Sequence, residues 1–390
     1  MTSIKDSVHG YVDLCPAAEA LLDTSPMQRL RYVRQLSTVQ LVYPSANHTR
    51  FEHSLGVYHL AARTVDRIDI PADLARRLRI AALVHDAGHG PFGHQTERAI
   101  ERHLGRHHDE IDELLSNTEL GPAIDDLGVA PSAVAESVDG RGPFGELISS
   151  SIDVDRLDYL ARDAHHTGVP YGTIDHDRLI DAFRVVDGDL ALAGDDVLTA
   201  ESVLIARTLM NATVYRHHVS RIAGAMLDRA SERLLSDGVV GPRRFARLTD
   251  AELLAELTAY EPTRPFGERI RERELYKRAV WADRESVPDH LVDLPYDRTR
   301  ELEAEIASIA GVDPGAVIVD SPGLPTSPEA QARIVTDEGL TRLESESALV
   351  DGLNACAREL WRLGVYTRPD AVEQVREAAS SVLGQSASPP

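Results

Sequence analysis

The pattern of hydrophobic and polar positions predicts helices through most of the first 235 residues, where apolar side chains recur at steps of three and four. Within these helices, polar side chains interrupt stripes that should face the protein interior. One such stripe contains His53, Val57, Leu60, Thr64 and Ile68. The spacing therefore predicts a helix that buries a histidine.

Two further helices are predicted to carry polar groups at similar positions. The segment LARRLRIAALVHD ends with His85 and Asp86, just before Gly88 stops the helix. The segment LISSSIDVDRLDYLARD places on one helix face Ile148, Ile152, Asp155, Tyr159 and Asp163. Polar groups are therefore expected to project from the core-facing stripes of three separate helices.

The pattern changes in the second half of the chain. A capping box between Thr249 and Glu252 predicts a helix in LTDAELLAEL. From about residue 285, short β-branched runs alternate with Pro and Gly turns, and a helix is expected from about 345 to 363. We therefore expect a mainly α fold, with a multi-helical core and a smaller C-terminal α+β lobe. The expected divisions are a core at 1–284 with its metal site within 50–165, a lobe at 285–383, and a disordered tail at 384–390.

The chain is strongly acidic. Its 390 residues contain 63 Asp and Glu against 41 Lys and Arg, a formal net charge of −22, and its only lysines are Lys5 and Lys277. Such a surface suits a protein kept in solution in multimolar salt, where self-repulsion is screened, so we expect a halophilic archaeon as the source. The alternative is an ordinary acidic enzyme from a high-GC genome. We do not expect nucleic acid as a general partner, because this surface would repel phosphates.

The hydropathy of the chain and its two cysteines limit the expected location and the kinds of metal site. The sequence has no run of eighteen apolar residues, and its N-terminus has neither a basic nor an apolar signal region. We therefore expect a cytoplasmic protein without a membrane partner. Cys15 and Cys356 are far apart and belong to no CxxC motif, so nitrogen and oxygen atoms would have to hold any metal ion.

The densest chemical signal is HDAGHGPFGH at residues 85–94, which contains three histidines and three glycines. A protein core seldom needs a histidine, because a buried neutral ring must satisfy both of its nitrogens. The three helices together offer His53, His85, Asp86 and Asp155. Two imidazoles and two carboxylates suit one divalent ion, among Mn, Mg, Fe, Ni, Co or Zn, with positions left for water and substrate. The alternative is a buried, salt-bridged His/Asp network without metal.

These residue types also suit phosphoryl chemistry. Phosphorus centres are shielded by negative oxygens, so an enzyme needs cationic groups, a metal ion that acidifies a water, and a proton donor for the leaving oxygen. The sequence offers each kind of group. It has no Walker-type glycine loop, which argues against a kinase or an ordinary NTPase mechanism.

Several motifs, in their order and separation, resemble the HD-domain phosphohydrolase superfamily, and within it the deoxynucleoside triphosphate triphosphohydrolases. The motifs are IKDSVHGYVDL, QRLRYVRQLS, VYPSANHTRFEHS, RFEHSLGV, HDAGHGPFGH and IDVDRLDYLARDAHHTG. The resemblance spans residues 4–225 and extends more faintly to about 280. It includes no SAM domain, and the region after 285 resembles the family only in general character.

The resemblance implies that His53, His85, Asp86 and Asp155 bind one metal ion, and that His89, His94 and His108 are acid–base histidines. The implied substrate contacts are Arg50, Arg156 and Arg207 to the triphosphate, Tyr159 and Asp163 beside the sugar, Gln35 to a 3′-hydroxyl, and Tyr215 along the base and sugar. Two positions depart from the family, which usually has lysine at Arg156 and glutamate at Asp109. The alternatives are that the arginines pair with nearby carboxylates and that the histidines belong to turns.

The resemblance also implies regulation by a guanine nucleotide bound between subunits. The matching positions for such an activator are Asp23, Arg31, Arg273 and Lys277. The spacing of four between the last two predicts that they share one helix face, where pairing with Glu272 or Glu274 is the alternative. The paired histidines at 165–166 and 217–218 are interpreted as structural or as lining a pocket.

Together these observations predict a metal-dependent hydrolase that converts deoxynucleoside triphosphates to deoxynucleoside and tripolyphosphate as a homo-oligomer, either dimer or tetramer. One alternative is an HD phosphohydrolase acting on another nucleotide phosphate ester. Another is a nucleotide-binding sensor without turnover, or a single-stranded nucleic-acid binder with residual chemistry.

Overall fold

A computed structural model of the chain describes residues 2–325 and 328–384. In these ranges it has nineteen α-helices and nine β-strands, so the protein is mainly α-helical, as predicted. The helices are α1 Pro16–Leu22, α2 Ser25–Arg29, α3 Arg50–Val65, α4 Ala72–Val84, α5 His94–Leu104, α6 Asp112–Ser116, α7 Leu120–Asp125, α8 Pro131–Val138, α9 Val154–Thr167, α10 His176–Ala182, α11 Val197–Met210, α12 His218–Ser236, α13 Pro242–Phe245, α14 Asp250–Ala259, α15 Arg264–Glu272, α16 Tyr296–Ala310, α17 Leu343–Glu346, α18 Leu349–Glu359 and α19 Val372–Leu383. The strands are β1 Thr2–Asp6, β2 Gly10–Leu14, β3 Phe183–Val186, β4 Asp189–Ala193, β5 Lys277–Asp283, β6 Val317–Asp320, β7 Arg333–Thr336, β8 Gly339–Arg342 and β9 Arg362–Thr367.

The helix α3 packs against both α4 and α9, and this arrangement builds the centre of the protein. A capping box starts α3, because the side chains of Thr49 and Glu52 each accept a hydrogen bond from the other residue's backbone. Helix α4 ends at Val84, and residues His85–Gly88 continue as a 3-10 turn. All residues of the predicted inward stripe are buried, but its last member, Ile68, lies beyond the end of α3 at Val65.

The start of α9 differs from the prediction. The helix does not run through residues 147–153; it begins at Val154, and the side chain of Asp153 caps it by accepting a hydrogen bond from the backbone of Arg156. Ile148 and Ile152 are buried, but they lie outside this helix. The three serines at 149–151 and the capping aspartate favour a loop followed by a helix start, since such side chains compete with helical hydrogen bonds.

Three small sheets complete the fold. β1 and β2 form an antiparallel hairpin, and β9 lies between β5 and β6 in an antiparallel sheet. The third sheet has the order β3-β4-β7-β8, in which β4 and β7 are parallel. Both larger sheets join strands from the two sides of residue 284, so the division of the chain at that point stays a prediction about folding units.

The C-terminal region is more helical than its turn-rich sequence predicts. Helices α16 and α19 pack against each other beside the β5-β9-β6 sheet, and neither helix was predicted. The predicted helix at 345–363 is present as α17 and α18, which end before β9. Residues 385–390 of the predicted tail lie outside the described residues. Among the residues that are described, no helix has the length and apolar character needed to cross a membrane.

The proposed activator residues Arg273 and Lys277 do not share a helix face, so this prediction is wrong. Helix α15 ends at Glu272, and Arg273 takes a left-handed backbone conformation with φ of 59°. Lys277 is the first residue of β5, whose pairing with β9 fixes an extended backbone. The chain changes from helix to strand within these four residues, so Arg273 lies at the end of α15 and Lys277 lies on β5.

A buried carboxylate joins the C-terminal helices to the rest of the protein. Glu303 on α16 is fully buried and accepts hydrogen bonds from both Nη atoms of Arg229 on α12, each at 2.7 Å. The backbone N–H of Val319 on β6 donates to the same carboxylate at 2.8 Å. Burial raises the pKa of Glu303, and the positive charge of Arg229 opposes that rise. Arg300 on α16 also pairs with this carboxylate, but its side chain is partly exposed, so Arg229 is the more buried of the two partners.

We predict that Arg229→Ala lowers the free energy of unfolding by about 3 kcal/mol, because the buried carboxylate loses both hydrogen bonds from Arg229 and keeps only the partly exposed Arg300 as a counter-ion. Urea denaturation of the full chain measures this change. The matched control is Arg233→Ala on the same helix, where the pair with Asp237 is exposed to solvent and should contribute much less to stability. Equal effects of the two substitutions would contradict the assigned role of the buried pair.

Candidate active site

The four predicted metal ligands meet where α3, the turn after α4 and the first turn of α9 come together. The Nε2 atoms of His53 and His85 are 3.2 Å apart. Asp155 Oδ1 lies 2.8 Å from His53 Nε2, and Asp86 Oδ1 lies 3.5 Å from His85 Nε2. One ligand atom from each of His53, His85 and Asp86 lies within 4.8 Å of the others, so this group could hold a metal ion.

The hydrogen bonds of the two rings show what the cluster can bind. His85 Nδ1 lies 2.9 Å from the carbonyl oxygen of Ala82, which can only accept, so Nδ1 carries a proton. His53 Nδ1 likewise faces the carboxylate of Asp158 at 2.7 Å. In neutral rings both Nε2 atoms therefore present lone pairs to each other and to carboxylate oxygens. Such a convergence of lone pairs is stable around a cation, and the donor set fits a divalent ion.

The carboxylates of the cluster also favour positive charge on the two histidine rings. Burial opposes protonation of His53, but its hydrogen bonds to Asp155 and Asp158 outweigh burial and raise the pKa to about 10. Burial also opposes protonation of His85, whose pKa is nevertheless raised by Asp86. Without a metal ion, protons bound to the two histidine rings therefore supply the positive charge between these carboxylates.

A fully buried aspartate, Asp158, fixes the orientation of His53. Asp158 was not predicted from the sequence as a site residue. Its carboxylate also accepts hydrogen bonds from His9 Nε2 at 2.6 Å and from Arg162 Nε at 2.8 Å. Gly56 on α3 makes room for this network, because a Cβ atom there would lie 1.8 Å from Asp158 Oδ1. The sequence signal was present as a second acidic residue three positions after Asp155, with Arg162 four positions further along the same helix.

The three predicted acid–base histidines lie directly beside the metal cluster. His89 Nε2 is 3.2 Å from Asp86 Oδ1, and the rings of His89 and His108 stack with centroids 3.8 Å apart. The ring of His94 lies 4.7 Å from His89 and 5.0 Å from His108. The structure therefore brings together His89 from the loop, His94 from the start of α5, and His108 from the segment after that helix.

The surroundings of His89 and His108 shift their pKa values in opposite directions. Burial, together with Arg50, holds the pKa of His89 well below its usual range. Burial also opposes protonation of His108, but hydrogen bonds to Asp109 and Glu97 raise its pKa to about 10. Asp109 Oδ1 is 2.9 Å from His108 Nε2, so the residue that departs from the family pattern still contacts this histidine. Glu97 was not predicted from the sequence; its carboxylate contacts His108 and lies 2.8 Å from Nδ1 of His94.

Two glycines of the HDAGHGPFGH motif are explained by close approaches. A Cβ atom at Gly88 would lie 2.0 Å from the carbonyl oxygen of His108. Gly93 has φ of 50°, and a Cβ atom there would lie 2.4 Å from Nη2 of Arg50. Larger residues at these positions would push the histidine segments apart or displace the arginine.

A second group of predicted residues surrounds Asp163. The hydroxyl of Tyr215 donates to Asp163 Oδ2 at 2.8 Å, and His48 Nε2 lies 2.8 Å from Asp163 Oδ1. The rings of Tyr159 and Tyr215 are 6.2 Å apart in an edge-on arrangement. Gln35 Oε1 is buried and has no hydrogen-bond partner among the described residues. His48 was not identified from the sequence, because its contact with Asp163 spans more than one hundred residues.

The predicted triphosphate arginines lie in three different settings. Arg50 is buried, and its Nη1 donates to Asp86 Oδ2 at 2.9 Å. Arg156 donates to the carbonyl oxygen of Ser150 at 2.5 Å and forms an ion pair with Asp153. Arg207 lines a cavity of about 260 Å³ whose other basic residues are Arg216, His217, His218, Arg221 and Arg362. Four arginines therefore line this cavity, and one of them, Arg221, pairs with Asp320.

The proposed activator residues are all exposed. Asp23 is the C-terminal cap of α1, and the guanidinium of Arg31 stacks 3.5 Å from the ring centroid of Phe51. Arg273 donates to the carbonyl oxygen of Leu41 at 2.9 Å. Their role in binding an activator stays a prediction.

Comparison with known proteins identifies the family. A model of the HD domain matches residues 50–163, and a model of the HD associated region matches residues 174–389. An uncharacterized protein of Methanocaldococcus jannaschii is 30% identical over 387 residues, covering 97% of this chain and 81% of that protein. This chain belongs to the HD-domain phosphohydrolase family. The ligand cluster described above lies within the segment that matches the HD domain.

Two further relatives of this HD-domain protein add detail. The deoxynucleoside triphosphate triphosphohydrolase SAMHD1 homolog of Dictyostelium discoideum is 30% identical over 309 residues, covering 70% of this chain and 59% of the relative. The chain therefore spans less than two thirds of that relative's length. A crystal structure of a hypothetical protein from Aquifex aeolicus has a TM-score of 0.79 and 28% identity, and the match covers 97% of this chain and 99% of the other.

We predict that Asp158→Asn weakens Mn²⁺ binding by about 10- to 100-fold, because the amide no longer fixes the proton and orientation of the His53 ring. Calorimetric titration of the metal-free protein with Mn²⁺ measures the affinity. The control is Asp163→Asn, an equally buried carboxylate of the same helix that contacts His48 and Tyr215 instead. Unchanged Mn²⁺ affinity in Asp158→Asn would show that this contact does not orient a ligand.

We also predict that metal binding releases protons. In the metal-free protein the pKa of His53 is about 10, so its ring is protonated at neutral pH and must lose a proton to become a ligand. The apparent affinity for Mn²⁺ should therefore rise as pH increases from about 6 to 9. Titrations in buffers of different ionisation enthalpy count the released protons. Binding that is independent of both pH and buffer would contradict the proposed ligands.

Proposed function

We propose that this HD-domain protein hydrolyses deoxynucleoside triphosphates to deoxynucleoside and tripolyphosphate, using one divalent ion from the group Mn, Mg, Fe, Ni, Co and Zn. The observation that carries the proposal is the convergence of His53, His85, Asp86 and Asp155 directly beside His89. The Dictyostelium relative, a deoxynucleoside triphosphate triphosphohydrolase homolog, supports the same reaction. Substrate and metal identity are part of the proposal.

The four ligands would hold the ion, which when bound supplies Lewis-acid activation of a water and of the α-phosphate. In the reaction the water oxygen bonds to the α-phosphorus, the bond from phosphorus to the 5′-oxygen breaks, and the leaving oxygen takes up a proton. His89 is a poor donor, because its pKa is held low by burial and by Arg50. His94 is the better donor: its side chain is 64% exposed, and Glu97 holds Nδ1 so that Nε2 is left for substrate.

The sugar and base would lie against the Asp163 group. The hydrogen bond from Tyr215 to Asp163 fixes the tyrosine ring, and Tyr159 lies edge-on to it, so both rings can form a wall. The unpaired Oε1 of Gln35 is a buried acceptor that a 3′-hydroxyl would satisfy. Arg50, Arg156 and Arg207 would neutralise the triphosphate.

Regulation and assembly are extensions of the proposal. A guanine nucleotide would bind between subunits of a homo-oligomer, dimer or tetramer, through Asp23, Arg31, Arg273 and Lys277. Arg273 caps the end of α15 and Lys277 begins β5, so a bound phosphate would not contact them from one helix face. The acidic surface and scarcity of lysine support a cytoplasmic enzyme of a halophilic archaeon, with no nucleic acid or membrane as partner.

One observation favours a second candidate function. Arg50 and Arg156 are already paired with Asp86 and Asp153, respectively. These ion pairs would compete with binding of a long phosphate chain, which favours a shorter nucleotide phosphate ester as substrate. A nucleotide sensor without turnover remains the alternative outside enzymes. Product analysis separates these functions.

We predict that the purified protein, in multimolar KCl with Mn²⁺ or Mg²⁺, converts dNTPs to deoxynucleoside and tripolyphosphate, and that GTP or dGTP increases the rate. Ion-exchange separation of the products measures this. Orthophosphate or pyrophosphate as product would favour the second candidate, and no product with any nucleotide would favour a sensor. Full turnover in Asp155→Ala would contradict the assigned metal ligands.

We further predict that His94→Asn lowers kcat by about 10²- to 10⁴-fold, since the leaving oxygen loses its proton donor, while metal content stays at the wild-type level. Steady-state kinetics and elemental analysis measure the two quantities. The control is His165→Asn, an exposed histidine on α9 that has no part in the proposed mechanism. If His94→Asn retains wild-type kcat, another group supplies the proton.

A further inference from the structure

The loop that carries the proposed acid–base histidines has an unusual backbone. Phe92 has φ of 56° and Gly93 has φ of 50°, just before His94 begins α5. A positive φ at a bulky residue such as phenylalanine costs on the order of 1–3 kcal/mol and persists only where surrounding contacts hold it. The Phe92 side chain is buried, which fixes the ring but leaves the backbone conformation to be held by other groups.

A carboxylate of the HD-associated region holds this backbone. Asp250, the first residue of α14, is buried, and its Oδ1 accepts a hydrogen bond from the backbone N–H of Phe92 at 2.7 Å. Its Oδ2 accepts from the backbone N–H of Arg34 at 3.1 Å. One carboxylate therefore ties the histidine loop to the segment that contains Gln35. Ser37 adds a third contact, because its hydroxyl donates to the carbonyl oxygen of Phe92 at 2.6 Å.

The other end of the loop is held through Arg29. Its Nη2 donates to the carbonyl oxygen of His89 at 2.5 Å and to the carbonyl oxygens of Ala246 and Leu248, each at 3.2 Å. Its Nε donates to the carbonyl oxygen of Arg247 at 2.9 Å. The segment 246–250 thus fastens the histidine loop at both ends, through Arg29 at His89 and through Asp250 at Phe92.

We propose that Asp250 and Arg29 are positioning residues, through which the HD-associated region keeps His89 and His94 beside the metal cluster. Neither side chain reaches the cluster itself. An aspartate is needed at position 250 because each of its two oxygens accepts one backbone N–H; an asparagine would turn a donor toward one of them. The inference rests on the proposed function for what the histidines do, but the holding of the loop stands on the hydrogen bonds alone.

The experiment compares wild type with Asp250→Asn and Arg29→Lys in the full chain. The matched control is Glu252→Ala, which removes the capping box of the same helix. Hydrogen–deuterium exchange of the peptide covering residues 88–94 reports on the loop, and kcat and KM with dGTP and Mn²⁺ report on catalysis. Elemental analysis reports bound metal, and thermal unfolding reports stability.

Both positioning variants should exchange the 88–94 amides faster and show kcat lowered by about 10- to 100-fold, the scale of a 1 Å misplacement, with metal content unchanged. Glu252→Ala should lose stability without either change. The proposal is overturned if loop exchange in the variants equals that in Glu252→Ala, or if kcat falls only in proportion to lost stability. If one variant fails to fold, the other decides.

The proposed substrate and the proposed role of Asp250 and Arg29 are tested by different measurements. Wild-type protein that does not hydrolyse dGTP would contradict the proposed substrate, while the exchange data would still decide whether Asp250 and Arg29 hold the loop. Faster loop exchange with unchanged kcat would show that the contacts exist but do not position the histidines, which also overturns the proposal.

Discussion

The imidazole rings of His53 and His85 turn their Nε2 atoms toward each other because each Nδ1 is committed to an acceptor fixed by the fold. One acceptor is a backbone carbonyl of α4 and the other is the carboxylate of Asp158. Buried lone pairs that face one another and two carboxylates are costly without positive charge between them. The site is therefore organised to attract a cation, and the helices, turns and buried ion pairs around it keep the rings from rotating away.

The same principle extends outward from the cluster. Arg162 supports Asp158 and also pairs with Asp6 of the N-terminal hairpin at 2.8 Å, so two distant segments of the chain help to fix one ring. On the other side, the histidine loop depends on hydrogen bonds from the HD-associated region. The segments that match the two family models are therefore in direct contact: the HD segment contains the His/Asp cluster and the histidine loop, and the associated segment contributes Asp250 and the carbonyl of Ala246 to the contacts around that loop.

The sequence was sufficient for the groups that lie on regular helices. The four proposed ligands could be predicted because polar residues lie on the apolar stripes of α3 and α9 and directly after the apolar helix α4, and these three elements pack in the core. Partners that depend on distant packing were not predicted: His9 and His48 contact α9 from separate segments, and no local pattern indicates these contacts. The failure at Arg273 and Lys277 has a similar cause, since pairing of β5 with β9, far along the chain, overrides the helical spacing.

The central claim is that the Nε2 pair and its two carboxylates form one metal centre. Crystals of the wild-type protein grown with Mn²⁺ and measured with anomalous diffraction at the Mn edge test this directly. We expect one strong anomalous peak about 2.0–2.3 Å from Nε2 of His53 and His85 and from a carboxylate oxygen of Asp86 and Asp155. An Mn²⁺ peak bound elsewhere, with these four side chains left uncoordinated, would contradict it.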